Sequence, residues 1–405
     1  MEVTTPGTGE PLPTTTTRTT ATLSSHSSRI TREEHVTIEE VFDAYYDCRR
    51  HKRSKQSAVR YELDYELGNY RLWQELNGMT YSPTVSTAFC VTKPKLREVF
   101  AADFRDRIVH HLLYNKLNWM FEAELTDCAF ACRKGKGTLY GARYLRQTMD
   151  ELGGDAWYVK CDVSGFFMAI DRDILFREVE RIMRKYWNDG PLDWWLWLSR
   201  TVIMHRPEQN CEIHGNARLW EGLSEDKSLF CSDGVGLPIG NLTSQVFANV
   251  YMGIFDRWIL SRLGGGGRYG RYVDDFIIIH PDRRVLMGLL GEARDFLGSE
   301  LKLRLHPRKV TVQQVRRGVQ FTGTYIKSGL LLPGRRLKSR AVGAAEGWTG
   351  GDADCLRRKV CSLNSYYGLL IHLSSYRLRK KMWRSLGSYE HLNLINNKKL
   401  KIVGL

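Results

Sequence analysis

Two aspartates stand side by side in Tyr272-Val273-Asp274-Asp275, immediately ahead of the apolar run Phe276-Ile277-Ile278-Ile279. Adjacent charges at the mouth of a buried strand are costly unless something neutralises them. A third carboxylate has the same setting: Asp162 closes the strand-like segment Val159-Lys160-Cys161-Asp162. Three carboxylates at strand ends suit hard, oxygen-seeking cations such as Mg²⁺, with Mn²⁺ able to substitute. Two such ions about 4 Å apart would activate an attacking hydroxyl and stabilise a leaving pyrophosphate. An isolated Asp pair is more ordinarily a solvated turn, so the decision rests on what surrounds it.

The elements that must position these groups are legible from periodicity. Thr37-Ile38-Glu39-Glu40 reads as a capped helix start, with Val41, Phe42, Tyr45 and Tyr46 on one face. Tyr61 to Leu76 reads as a second helix with Leu63, Leu67, Tyr70 and Leu72 among its apolar residues. A third runs from Phe104 to Phe121 on Ile108, Val109, Leu112, Leu113, Leu117 and Met120. Its neighbours His110 and His111 point to different helix faces, which argues against a shared metal. Arg105 and Arg107 suit either a template strand or ion pairs with Asp103 or Asp106. Trp157 to Ile170 predicts a strand, a turn and a helix. Residues 176–204 read as helical, with Trp194, Trp195 and Trp197 in the core, and residues 205–235 as irregular. Gln245 to Leu263 predicts a helix, and Arg271 to His280 a β-hairpin. Strands mixed with long helices predict an α+β fold.

Composition narrows the class. The chain has 405 residues and a formal charge of +15, but residues 301–405 carry +18 and the first 300 carry −3. Basic residues interleaved with Trp348, Tyr366, Tyr367, Tyr376 and Trp383 suit a polyanionic, nucleic-acid partner. No apolar run reaches a membrane span and no apolar leader segment is evident, so neither a membrane nor secretion is expected. Nine scattered cysteines exclude a disulfide scaffold and suit reduced thiols in a cytoplasm. Cys128 and Cys132 lack a second pair for a zinc site. Residues 1–31, with ten Thr in the first 22, read as a disordered tail.

Seven blocks in order then resemble a reverse transcriptase. They are Phe104-Arg-Asp-Arg-Ile-Val-His110, Arg133-Lys-Gly-Lys-Gly-Thr138, Asp162-Val-Ser-Gly-Phe-Phe167, Gly236-Leu-Pro-Ile-Gly-Asn-Leu-Thr-Ser-Gln245, Tyr272-Val-Asp-Asp275, Leu305-His-Pro-Arg-Lys309 and Phe321-Thr-Gly-Thr-Tyr325. The resemblance covers residues 40 to 330. Most of that family has a Gln before the Gly of the fourth block and a Pro at its end. Here Ile239 and Gln245 stand there, an IGxxxSQ pattern that looks like the reverse transcriptase of a diversity-generating retroelement.

The resemblance implies a right-hand polymerase fold: a tail at 1–31, N-terminal helices and fingers at 32–155, a palm at 156–329 with an insertion about 176–235, and a basic helical thumb at 330–405. It implies an RNA-directed DNA polymerase making error-prone cDNA from a template-repeat RNA, with errors mainly at adenines. Asp162, Asp274 and Asp275 would be catalytic and hold two Mg²⁺ ions with the Val163 carbonyl, and Lys309 would approach the pyrophosphate. Phe167 would be the steric gate against a ribose 2′-hydroxyl. Arg133 and Lys136 would hold the incoming dNTP; Ile239, Gly240, Ser244 and Gln245 would shape its pocket. Phe321 and Gly323 would form the primer grip, and Arg335, Arg336, Lys338 and Arg340 would bind the RNA/DNA duplex. Expected partners are template RNA and a small basic, oligomeric accessory variability protein, which the basic thumb would repel and the first 300 residues could accept. A bacterial or phage-encoded, cytoplasmic enzyme is implied. No RNase H, zinc-finger endonuclease or integrase segment is visible. A retron, group II intron-like or defence-associated reverse transcriptase is the same-class alternative. A non-catalytic nucleic-acid-binding scaffold is the alternative of another class, and has no use for three clustered carboxylates.

Overall fold

Helix α1 (Ile38–Arg49) starts where the sequence dictates. The Thr37 hydroxyl accepts from the Glu40 amide at 3.2 Å, and the Glu40 carboxylate accepts from the Thr37 amide at 3.0 Å. The computed structural model describes residues 34–346 except 51, 53 and 94, residues 353–386, and the backbone of 392–395 and 399–402. The expected Thr/Ser-rich tail and Trp348 lie outside the described residues. Met1–Glu34 and His35–Leu405 separate as two units, and the elements that position the carboxylates belong to the second.

Two expected faces change. Tyr46 is 49 % exposed, so the inward stripe of α1 is Val41, Ala44, Tyr45 and Cys48. The predicted single helix Tyr61–Leu76 is two, α2 (Gln56–Glu62) and α3 (Tyr65–Asn77). A two-residue turn separates them, the Tyr61 hydroxyl donates to Asn69 Oδ1 at 2.9 Å across it, and Leu63 is 84 % exposed.

Strands β1 (Ser86–Val91) and β2 (Arg97–Ala101) pair antiparallel and lead into α4 (Phe104–Glu124), capped by Asp103. All six predicted core residues of α4 are buried. Arg105 pairs with Glu75 and Asp106, and Arg107 Nε donates to the Ala102 carbonyl at 2.7 Å; both therefore brace the helix start. His110 is buried, and burial with neighbouring positive groups pushes its pKa down to about 3. An unfolded chain protonates this imidazole near pH 6.5, so it binds the extra proton and stability falls as pH drops from about 6.5 towards 3. Urea unfolding at pH 7 and pH 5 should show wild type losing roughly 2 kcal/mol more than His110→Leu. An identical loss in both would place the acid sensitivity elsewhere.

Helix α5 (Thr138–Leu152) precedes β3 (Trp157–Asp162), then come the short α6 (Phe166–Ala169), α7 (Arg172–Tyr186) and α8 (Leu192–Met204). The helical stretch expected at 176–204 is thus broken at Trp187–Pro191, where Gly190 takes φ 74°. The irregular segment that follows contributes β4 (Cys211–Ile213), which pairs parallel with β1. Helix α9 (Leu242–Arg262) is buried on most sides. Strands β5 (Arg268–Tyr272) and β6 (Asp275–His280) form the predicted hairpin; α10 (Arg283–Ser299) and β7 (Thr311–Gln314) follow.

The central sheet has four strands in the order β5-β6-β3-β7, all antiparallel. Side chains alternate across it. Phe276 and Ile278 join the large helical core with Val159, Cys161 and residues of α4, α7, α8 and α9. Ile277 and Ile279 join a second core with Tyr158, Leu145 of α5 and Phe321. Burial on both faces explains why the second hairpin arm lacks polar alternation. Beyond it, β8 (Val319–Phe321), β9 (Thr324–Lys327) and β10 (Leu330–Pro333) make an antiparallel sheet. Helices α11 (Arg335–Glu346), α12 (Ala353–Leu370) and α13 (Tyr376–Ser385) share a separate cluster built on Ala341, Leu363, Tyr367 and Met382. The short strands β11 (Leu392–Ile395) and β12 (Lys399–Ile402) pair antiparallel near the C-terminus. Among the described residues no helix is long and apolar enough to cross a membrane.

Candidate active site

Register brings the carboxylates together. Asp162 is the last residue of β3 and lies opposite Asp275, the first residue of β6. Tyr272 pairs with Asp275, so Val273 and Asp274 form the two-residue turn of the hairpin, and Val273 takes φ 59°. The predicted Leu305–Lys309 block lies alongside: the His306 amide donates to the Asp162 carbonyl at 2.8 Å and Ser164 N–H to the Arg304 carbonyl at 2.9 Å. Val163, buried, bridges Leu305 between those two bonds. Lys309 Nζ then reaches Asp162 Oδ1 at 2.7 Å.

Electrostatics single out this corner. Burial pushes the Asp274 carboxyl up to about 6; the Asp162 charge adds to the push, while Lys309 and Arg97 oppose it. Burial pushes Asp275 to about 6 as well, against the pull of Lys160. Lys160 Nζ forms an ion pair with Asp275 Oδ1 at 3.0 Å.

The expected three-carboxylate cage is not assembled. Among the described residues no group of three His, Cys, Asp or Glu side chains is placed to hold one ion. Two ammonium groups face these carboxylates, Lys309 at 2.7 Å from Asp162 and Lys160 at 3.0 Å from Asp275. The donor chemistry nonetheless fits a hard divalent cation, because Asp162 and Asp275 stand opposite each other at paired strand ends with Asp274 in the adjoining turn, and burial raises the pKa of two of the three.

The residues expected to shape a nucleotide pocket lie around two glycine turns and the start of α9. Gly236 (φ 89°) hooks onto α6, its amide donating to the Ile170 carbonyl at 2.8 Å; a Cβ there would sit 2.9 Å from Met168 Cα. Gly240 (φ 128°) lies against β2, where a Cβ would sit 2.9 Å from the Phe100 carbonyl. The Ile239 side chain between them packs on Ala88, Phe100, Met168 and Leu229. Phe166 is buried, whereas Phe167 is only partly so. Ser244 is buried in the first turn of α9, and Gln245 is exposed, accepting from Cys132 Sγ at 3.3 Å. Asp171 is structural, capping α7 through the Asp173 and Ile174 amides.

Arg133 and Lys136 are placed differently from the expectation that they face a triphosphate. Arg133 pairs with Glu122 at 2.8 Å and donates to the Thr126 and Ala129 carbonyls at 2.6 and 3.0 Å, its side chain only 5 % exposed. The loop turns these carbonyls inward, and buried carbonyls require donors. Lys136 Nζ is held by Asp127 at 2.9 Å. Phe321 is buried beneath Lys160, and Thr322-Gly323 makes the β8–β9 turn with φ 45° and 87°. Gly334 N–H donates to the Gly323 carbonyl at 3.0 Å, so α11 springs from that turn. Arg335, Arg336, Lys338 and Arg340 on α11 are all exposed.

Three residues were not singled out from sequence. Lys160 and Arg97 bear electrostatically on the carboxylates, and Arg271 is buried beneath them. Lys160 had a signal: two positions before Asp162 in a strand, it shares that residue's face.

A four-stranded antiparallel sheet with acidic strand ends, helices packed on its large core and a helical cluster beyond it is a right-hand polymerase fold. The chain belongs to the reverse transcriptase (RNA-dependent DNA polymerase) family, whose pattern it matches over residues 91–326, and that segment is an RNA-directed DNA polymerase domain. It is similar to the protein YkfC of Escherichia coli strain K12, at 22 % identity over 62 % of this chain and 69 % of that one. It also resembles a putative COX1/OXI3 intron 1 protein of Saccharomyces cerevisiae, at 22 % identity over 54 % of this chain and 22 % of that one. The nuclear intron maturase 1, mitochondrial, of Arabidopsis thaliana shares 24 % identity over 37 % of this chain and 21 % of its own length. Among solved structures, Candida albicans telomerase aligns with TM-score 0.45 at 10 % identity, covering 76 % of this chain and 55 % of that one.

Proposed function

We propose that this chain copies RNA into DNA with Asp162, Asp274 and Asp275 as the ligands of two Mg²⁺ ions, the Val163 carbonyl completing the set. The observation that carries this reading is the opposition of Asp162 and Asp275 at paired strand ends, with Asp274 at the adjoining turn. Bound there, the ions supply charge stabilisation to the attacking and leaving oxygens. The chain's own groups then orient and protonate. Lys309 Nζ, beside Asp162, is placed to give a proton to the departing pyrophosphate or to hold its charge. Arg97, whose charge reaches Asp274, meets the triphosphate in place of Arg133 and Lys136. Phe167 closes the sugar side against a 2′-hydroxyl, and the Thr322-Gly323 turn aligns the primer. Residues 32–155 act as fingers, 156–329 as palm and 330–405 as thumb, and the template is RNA. Primer extension on an RNA template with Mg²⁺ and dNTPs tests the reading; a soluble, folded protein that makes no product refutes it.

The finer reading is an error-prone enzyme of the diversity-generating retroelement type, working with a small basic accessory protein, supported by Ile239 with Ser244-Gln245. The relatives named as an intron 1 protein and an intron maturase favour a group II intron-like enzyme instead. Sequencing the product separates them, since adenine-biased errors belong to the first. Ile239 offers only apolar contact where the family has a hydrogen-bonding Gln. An unmade hydrogen bond in a buried site costs about 1–3 kcal/mol, so Ile239→Gln should lower errors opposite template adenine by roughly 5- to 150-fold. Some activity is lost, because the amide must enter the cluster with Phe100 and Met168. An active variant with unchanged adenine errors would make Ile239 a packing residue.

A further inference from the structure

The hairpin that carries Asp274 sits on a buried charge pair that the proposed reaction does not use. Arg271 on β5 and Asp256 on α9 are both fully buried. Arg271 Nε and Nη2 donate to the two oxygens of the Asp256 carboxylate at 2.7 and 2.6 Å, and the Tyr269 hydroxyl donates to Oδ1 at 2.7 Å. Removing two charges from water costs several kcal/mol per ion, and apolar side chains of similar volume often stabilise a core as well. The pair is therefore weak evidence for stability, and the N–H groups of Nη1 show what it does for geometry.

Arg271 Nη1 donates to the Val273 carbonyl at 2.9 Å and to Asn249 Oδ1 at 3.1 Å. Asn249 in turn donates to the Ala131 carbonyl at 2.7 Å. Val273 is the residue between Tyr272 and Asp274, and its φ of 59° is left-handed. That conformation strains a β-branched residue by about 1–3 kcal/mol and persists only where the surroundings over-determine it. The backbone of Arg271 is engaged too: its amide donates to the Cys128 carbonyl, and its carbonyl accepts from Phe130 N–H. One residue thus ties together α9, the loop leading to Arg133 and the turn before Asp274.

We propose that Arg271 is a positioning residue: held by Asp256 and Asn249, its guanidinium fixes the Val273 carbonyl and thereby the place of Asp274. This rests on the reading of Asp274 as a metal ligand. Arg271→Lys keeps a cation against Asp256 but replaces a planar fork with one compact ammonium, which cannot serve Asp256, Asn249 and Val273 together. A ligand misplaced by about 1 Å can cost 10²-fold, so kcat should fall about 10- to 100-fold. The KM for dNTP should stay within about threefold, because binding is not what is lost. The Mg²⁺ concentration for half-maximal rate should rise.

A buried pair with one member changed can fail to fold, so a second variant replaces the whole group: Arg271→Met, Asp256→Leu and Tyr269→Phe. It should unfold cooperatively and show the same loss of kcat and the same Mg²⁺ shift. Wild-type kcat and Mg²⁺ dependence in this folded variant overturn the proposal. So does loss of cooperative unfolding in both variants, which would make the pair a stability element. Asp274→Ala run alongside separates the two readings. If it copies at the wild-type rate, the site assignment fails; if it is inactive while the triple variant is unimpaired, only the role of Arg271 fails.

Discussion

Asp274→Ala is expected to abolish primer extension while leaving the protein folded. Asp274 occupies the tip of a turn whose preceding residue is in a left-handed conformation and whose following residue pairs with Asp162 across two strands. Losing one ligand of a metal pair removes several kcal/mol of transition-state stabilisation. At 1.36 kcal/mol per decade, that is on the order of 10³-fold or more in rate. Stability should move the other way. The pKa of Asp274 rises from 3.8 to about 6 on folding, chiefly through burial. The native state therefore holds this proton more tightly than the unfolded chain. Stability from this group is present below about pH 4 and is lost as pH rises through 6, so at pH 7 the ionised carboxylate opposes folding. Removing it should leave the thermal midpoint unchanged or higher. Extension near the wild-type rate by a folded variant would show that the carboxylates at this strand end are not the catalytic ones.

What the sequence made legible follows from how local each signal is. The Asp274-Asp275 pair, the apolar arm after it and the strand ending at Asp162 are short-range patterns, and register alone turns them into one corner. The helix around Leu112 could be placed for the same reason, since a 3.6-residue stripe needs no partner to be recognised. The misplacements are long-range. Whether Tyr46 faces in or out depends on which helices pack on α1. The break at Leu63 depends on Tyr61 finding Asn69. Arg133 had a suitable block around it, yet inward-turned carbonyls at Thr126 and Ala129 claim its guanidinium. Arg271 stood one residue before Tyr272 in plain view, but its partner Asp256 belongs to another element, and nothing in the spacing joins them. A charged residue inside an otherwise apolar strand, Lys160 in β3, is the signal that points to this corner from sequence.

The second large effect concerns the basic end of the chain. Residues 301–405 carry +18, and α11 displays Arg335, Arg336, Lys338 and Arg340 at its surface while Ala341 and Ala345 turn inward. The helix begins where Gly334 meets the Gly323 carbonyl. The expected path of a duplex is from the carboxylate corner past the Thr322-Gly323 turn to these side chains. Each phosphate neutralised by a cation releases counterions, with a log–log salt slope near −0.9 per contact. Replacing all four by Gln should flatten the slope for an RNA/DNA duplex by up to about 3.6. Between 50 and 200 mM salt, wild type should then lose roughly 100-fold more affinity than the variant. The measurement is duplex affinity at several salt concentrations, with Arg377, Lys380 and Arg384 of α13 neutralised as a comparison set. If the first set leaves the slope unchanged and the second flattens it, the duplex lies on α13 and α11 faces solvent. If neither matters, the excess charge of this region serves a partner other than the duplex, and the path of the nucleic acid must be sought across the sheet of β8, β9 and β10.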